Sequence, residues 1–150
     1  MFNKIFPKSI DNNYNGAKIA LYAFYPMMAI ILFRSCMHWF GADGGAQSIA
    51  GIPLDSYPQG AAQNIIAIFS LWGFSQFLML LIYIPIGIRY KSLIPAFWLI
   101  QFIEWSGRWI TGSVKPLELV GTAPGEIGNY IFMALSIIML ILSIKKQKEK

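Results

Sequence analysis

Charge is scarce in this chain of 150 residues: Asp, Glu, Lys and Arg together make up 13% of it. Cysteine and histidine occur once each, as Cys36 and His38. One cysteine forms no intramolecular disulfide, so thiols say nothing about compartment. One histidine and one cysteine also leave a self-contained zinc or di-iron site without its ligands. What fills the chain instead is apolar, 56% by residue type. A single soluble core of this size does not hide that much apolar surface, so lipid is the expected solvent for much of it. The formal net charge is +5. The basic residues fall at the ends of apolar runs rather than on one polar face, so no nucleic-acid partner is expected.

Four apolar runs have the length of membrane spans, about 19–40, 61–84, 93–110 and 127–144. Each crosses most or all of the ~30 Å hydrocarbon layer at about 1.5 Å per helical residue. Lys4, Lys8 and Lys18 before the first run resemble a signal-peptide n-region. Yet Arg34-Ser35-Cys36-Met37-His38-Trp39 is no small-residue cleavage site, so the run reads as a retained span. Gly41 to Gly60 is a loop with turn signals at Gly44-Gly45 and Tyr57-Pro58. The link Ile88-Arg89-Tyr90-Lys91 is short, which predicts that the second and third spans are antiparallel neighbours. Ser92 is the expected N-cap of the third span, with Pro95 in its first turn. Pro26 predicts a kink in the first span. A polar loop, Thr111 to about Gly125, precedes the fourth span, where Thr122, Pro124 and Glu126 fit a helix N-terminus. The N-terminal Phe2, Ile5 and Phe6 with Lys4 and Lys8 suit either a membrane-surface segment or a flexible tail. Lys145-Lys146-Gln147-Lys148-Glu149-Lys150 reads as a charged tail.

An even number of spans puts both termini on one side. Lys4, Lys8, Lys18, Arg89, Lys91, Lys145, Lys146, Lys148 and Lys150 share that side, against Lys115 and the span-end Arg34 and Arg108. The positive-inside rule makes the terminal side cytoplasmic. The expected fold class is therefore all-α, an integral membrane four-helix bundle forming one transmembrane domain over residues 1–150, with both termini cytoplasmic.

Charged and polar residues inside the spans are the informative feature. Arg34 and His38 lie four apart on the first helix, and Glu104 and Arg108 four apart on the third, so each pair shares a face. Arg34 and Glu104 lie about 9 Å inside the outer end of their spans, and His38 and Arg108 about 3 Å inside. A charge at the bilayer centre costs roughly 2.5–3.5 kcal/mol on insertion scales, and less nearer an interface. Gln101 extends the Glu104–Arg108 stripe, Gln63 and Asn64 open the second span, and Glu126 and Asn129 open the fourth. The expectation is an outward-opening polar pocket in the outer half, with Glu104 linking Arg34 and Arg108. Three roles stay open for it: an ion pair that fixes packing, a site for an anionic or polar headgroup, or proton and redox chemistry.

Other motifs carry less. A lone His38 at a span end reads as an interfacial or hydrogen-bonded residue before a haem ligand, although two copies in a dimer would supply two ligands. Glu104 and Glu126 have no nucleophile or metal beside them. Cys36 reads as an inert buried thiol. Gly121-Thr122-Ala123-Pro124-Gly125-Glu126 lacks the lysine and strand of a phosphate loop and reads as a helix start. Trp98, Trp105 and Trp109 form a helical stripe that packing or lipid contact explains.

Leu54-Asp55-Ser56-Tyr57-Pro58, Leu71-Trp72-Gly73-Phe74-Ser75-Gln76, Arg89-Tyr90-Lys91-Ser92-Leu93-Ile94-Pro95, Glu104-Trp105-Ser106-Gly107-Arg108, Lys115-Pro116-Leu117 and Thr122-Ala123-Pro124-Gly125 together resemble the DoxX-like group of small four-helix bacterial membrane proteins. The resemblance covers about Ala20 to Ser143. It implies a bundle in the bacterial inner membrane and carries no catalytic residue over. With no catalytic set evident, a non-enzymatic role is expected: an accessory subunit of a larger membrane complex, a homo-oligomer, or a binder of a small or lipid-like ligand. A quinone-linked redox subunit and a small transporter are the alternatives. Quinone or lipid is the cofactor class such a site would take.

Overall fold

The computed structural model describes residues 2–121 and 123–145, with Pro124 described by its backbone. Thr122 and the tail residues Lys146, Gln147, Lys148, Glu149 and Lys150 lie outside the described residues. All regular structure among the described residues is helical. A short α1 (Phe2–Ile5) precedes four long helices: α2 (Lys18–Phe40), α3 (Gln59–Ile88), α4 (Ile94–Val114) and α5 (Pro124–Ile144). Single 3-10 turns at Leu54–Ser56 and Lys91–Leu93 lead into α3 and α4.

Among the described residues, three helices are long and apolar enough to cross a membrane: Lys18–Phe40, Gln59–Ile88 and Gly125–Ile144. α4 equals α5 in length but is less apolar, because Gln101, Glu104 and Arg108 lie along it. Two helix ends differ from the apolar runs. α3 continues through Pro85 and Gly87: Pro85 offers no N–H to the Leu81 carbonyl, but its own carbonyl accepts from both Arg89 and Tyr90 N–H, which closes the helix end. α4 continues to Val114, through residues that read as polar loop.

The long helices associate as two pairs, α2 with α3 and α4 with α5, joined where α2 meets α5. α3 and α4 touch sparingly despite their short link, so the expected close neighbours are instead splayed. Glycine explains the preference of α3 for α2. A Cβ on Gly73 would stand 2.6 Å from the Trp39 nitrogen, and one on Gly87 would stand 2.6 Å from the Phe24 ring. The core between the pairs holds Phe24, Met27, Leu80, Tyr83, Phe97 and Trp98. Trp98 Nε1 donates to the Ala20 carbonyl at 3.0 Å, tying α4 to α2 without leaving a buried donor unpaired.

The N-terminal segment is tied to the bundle rather than a free tail, with Phe2, Lys4 and Phe6 exposed. Ile5 is buried in the core, and Ala17 N–H donates to Leu142 O at 3.1 Å. Ser92 does not cap α4, whose N-cap is Leu93. Its hydroxyl donates to Asp11 O at 2.9 Å and accepts from Asp11 N–H at 3.0 Å. The chain start is thereby pinned across the helix ends.

The opposite end is closed by the 41–58 loop. Asp43 organises it: Oδ1 accepts from Gly45 N–H (2.8 Å) and Ser48 Oγ (3.1 Å), and Oδ2 from Gln47 N–H (3.0 Å) and Ser48 N–H (2.6 Å). Gly44 and Gly45 take φ of 60° and 71°, which a side chain would strain. Ala46, Ile52 and Leu54 pack into a small second core with Ile65, Phe69 and Leu119. Val120 N–H donates to Gly51 O at 2.8 Å, so the loop before α5 closes on the same cap.

Candidate functional site

Beneath that cap, α2 supplies Arg34 and His38, α3 Trp72, α4 Gln101, Glu104, Trp105 and Arg108, and α5 Phe132. The two guanidiniums share two indole rings. Arg34 Cζ lies 4.9 Å from the Trp105 ring and 5.7 Å from the Trp72 ring. Arg108 Cζ lies 4.6 Å from Trp72 and 5.1 Å from Trp105. Phe132 stacks on Trp105 with centroids 4.7 Å apart and completes the floor from α5.

Glu104 pairs with Arg108, one turn along the same helix. It does not link the two arginines: among the described residues Arg34 has no carboxylate within ion-pair distance. The local partner wins for a physical reason. A Glu four residues before an Arg meets it at no cost in helix register, whereas a cross-helix pair must find the right rotation of both helices. Arg34 is stabilised by the indole faces instead, by about 2 kcal/mol when such a contact is desolvated.

The layer therefore holds two guanidiniums and one carboxylate. It also holds donors with no acceptor: Arg108 Nε, Trp105 Nε1 and Ser106 Oγ are buried and unpartnered. Gln101 is fully buried, its Nε2 3.5 Å from Glu104 Oε2, and its Oε1 lacks a donor. Such groups carry a desolvation penalty that a polar ligand relieves.

His38 is buried and hydrogen-bonded to the cap. Its Nδ1 lies 2.8 Å from Gly44 O, and a carbonyl only accepts, so Nδ1 carries the proton. The ring also packs against Trp72, with centroids 4.6 Å apart and planes tilted by 33°. Histidine, Trp72 and the two arginines thus form one continuous contact beneath the loop.

Of the residues that spacing singled out, Arg34, His38, Gln101, Glu104 and Arg108 come together. Gln63, Asn64 and Glu126 are exposed on their helices, and Asn129 is half-buried with no side-chain hydrogen bond among the described residues. Cys36 is half-buried. Spacing missed Trp72, Phe132 and Asp43. Trp105 stood in the tryptophan stripe, but nothing in the sequence marked it as a platform for a helix-α2 cation. Among the described residues, no group of three His, Cys, Asp or Glu side chains is placed to hold a metal. Comparison with family models, curated proteins and solved structures finds no match for this chain.

Proposed function

We propose that this is a four-helix bundle of the bacterial inner membrane, of the DoxX-like kind, which binds an anionic headgroup through its arginine–indole layer. The observation that carries the reading is two guanidiniums over one shared pair of indoles, with a single carboxylate that pairs with Arg108 alone. An uncompensated guanidinium among apolar helices attracts an anion. The planar fork of arginine fits phosphate or carboxylate oxygens in pairs.

α4 serves as the fourth span in this account. Its 21 residues extend about 31 Å at 1.5 Å each, and its polar stripe turns toward the other helices. The basic residues crowd the end that carries the termini, which supports a cytoplasmic location for both. A small cap and short links leave little area outside the membrane. That economy supports an accessory role beside a larger membrane protein or beside copies of itself.

Thermal unfolding in mild detergent tests the headgroup assignment. Phosphatidylglycerol raises the melting temperature of the wild type more than phosphatidylcholine does, and Arg34→Gln removes the difference. Arg34→Lys keeps part of it, because lysine retains the charge without the fork. Inorganic phosphate alone, added at matched concentration, separates a lipid site from a site for the free ion. Equal responses to both lipids, or an unchanged response in Arg34→Gln, contradict the assignment.

A further inference from the structure

A recess lies on the flank of the molecule, between α3 and α4. It exists because those helices are splayed: each packs mainly against another partner, and they meet sparingly, as where Tyr83 packs edge-on against Phe97 with centroids 4.9 Å apart. The recess has a volume of about 290 Å³, with Ile31 of α2 at its lining. Met79 and Ile103 line it and are exposed, so its mouth opens on an apolar flank rather than on the polar cap.

Its polar groups are few and graded. Along α3, Trp72, Gln76, Met79 and Tyr83 face it in one stripe about 16 Å long. Gln76 is only 8% exposed, and its Nε2 is buried without an acceptor. Glu104 lines the same end of the recess. Its Oε2 receives only the 3.5 Å contact from Gln101, so it retains capacity to accept. Toward Tyr83 the lining is apolar, with Ile100 opposite on α4.

We propose that this recess binds an uncharged single-chain amphiphile with a hydroxyl- and carbonyl-bearing head, of the monoacylglycerol type. Gln76 Nε2 donates to the head's carbonyl oxygen, a head hydroxyl donates to Glu104, and the chain follows Met79 toward Tyr83. A carboxylate head fits less well because it brings acceptors only and leaves Glu104 Oε2 without a further donor. A cation is not required, because Arg108 already neutralises Glu104. The entry route follows from the exposed apolar mouth: the ligand arrives from the lipid phase. The site shares Glu104 and Trp72 with the arginine layer but does not rest on what that layer binds.

The test uses the full chain in mild detergent and a monoacylglycerol carrying a diazirine on its acyl chain. A fatty acid of equal chain length with the same diazirine, at pH 8, is the anionic comparison. Labelling is expected to concentrate on Met79, Tyr83, Ile100 and Ile103, to be competed by unlabelled monoacylglycerol, and to exceed that by the fatty acid. Gln76→Leu lowers it roughly five- to tenfold, the loss of one buried hydrogen bond. Met79→Trp, which fills the recess, lowers it independently should Gln76→Leu fold poorly. Uniform labelling of exposed flank residues such as Leu78 and Ile82, no competition, or equal labelling by the fatty acid overturns the proposal. None of these readouts depends on the phosphatidylglycerol response, so either reading can fail alone.

Discussion

At the scale of single residues, what decides the half of the molecule beneath the cap is which partner each charge finds. Helical spacing placed Arg34, His38, Glu104 and Arg108 at matched depths, and they do lie together. Spacing did not reveal azimuth. Gln63 and Asn64 are exposed and stand roughly 12 Å or more nearer the capped end of α3 than Trp72, and Glu126 is likewise exposed about 9 Å before Phe132 on α5, so neither height nor rotation brings them to the layer. Nor did spacing reveal that Arg34 rests on aromatic rings. The i, i+4 carboxylate was legible as a pair, and it takes Arg108 out of reach of the cross-helix alternative. Asp43 escaped notice because a loop aspartate looks like any other until its amide partners are known. Burial raises its carboxyl, but hydrogen bonds from Ser48, Gly45 and Gln47 outweigh that, and its pKa falls below the ordinary 3.8. A lowered folded value means that the native state binds fewer protons than the unfolded chain, so stability rises with pH there. The contribution is complete above 3.8 and is lost as pH falls through the lower folded value. Wild type is therefore more heat-stable than Asp43→Asn at pH 6, and the gap narrows below pH 3.8, as melting curves at the two pH values would register. A gap that widens on acidification contradicts this role.

At the scale of elements, the apolar runs foretold four long helices, and their centres are right. Their ends are not: α3 carries Pro85 in its last turn at the loss of one helical bond, to the Leu81 carbonyl, and α4 runs on through Thr111 to Val114. Pairing was the harder question. A short link suggested that α3 and α4 pack, but close approach is governed by small residues, and Gly73 and Gly87 face α2. Gly73 sits against the backbone of Trp39, which has no rotamer to yield. Gly73→Leu should cost roughly 1–3 kcal/mol through overpacking and lower the melting temperature in detergent. Gly60→Leu, where a side chain meets open space, should leave it nearly unchanged. Equal melting temperatures for the two variants would show that α2 and α3 do not depend on this contact. Ser92 carries the complementary lesson. Its position before an apolar run fits a cap, but the chain start 81 residues away claims its hydroxyl.

At the scale of the whole molecule, composition alone indicated lipid as solvent, and three helices meet the length and apolarity of spans. The proposed fourth span, α4, falls short of them because it carries Gln101, Glu104 and Arg108, and in the proposal those groups face other helices rather than lipid. The proposed orientation has a direct check. A fluorescent protein fused to the C-terminus should fluoresce in a bacterial host, and alkaline phosphatase at that point should be inactive. Phosphatase inserted after Asp55, in the cap loop, should be active. The reverse pattern would invert the topology and place the arginine layer near the cytoplasmic face.

The central claim is that an arginine without a carboxylate partner makes this layer an anion site. Native mass spectrometry of the protein released from mild detergent measures it most directly. The account predicts a wild-type population carrying one phosphatidylglycerol-sized adduct that survives gentle activation, and its loss in Arg34→Gln with the fold intact. A wild type stripped bare under the same activation, or an Arg34→Gln protein that keeps the adduct, would contradict it.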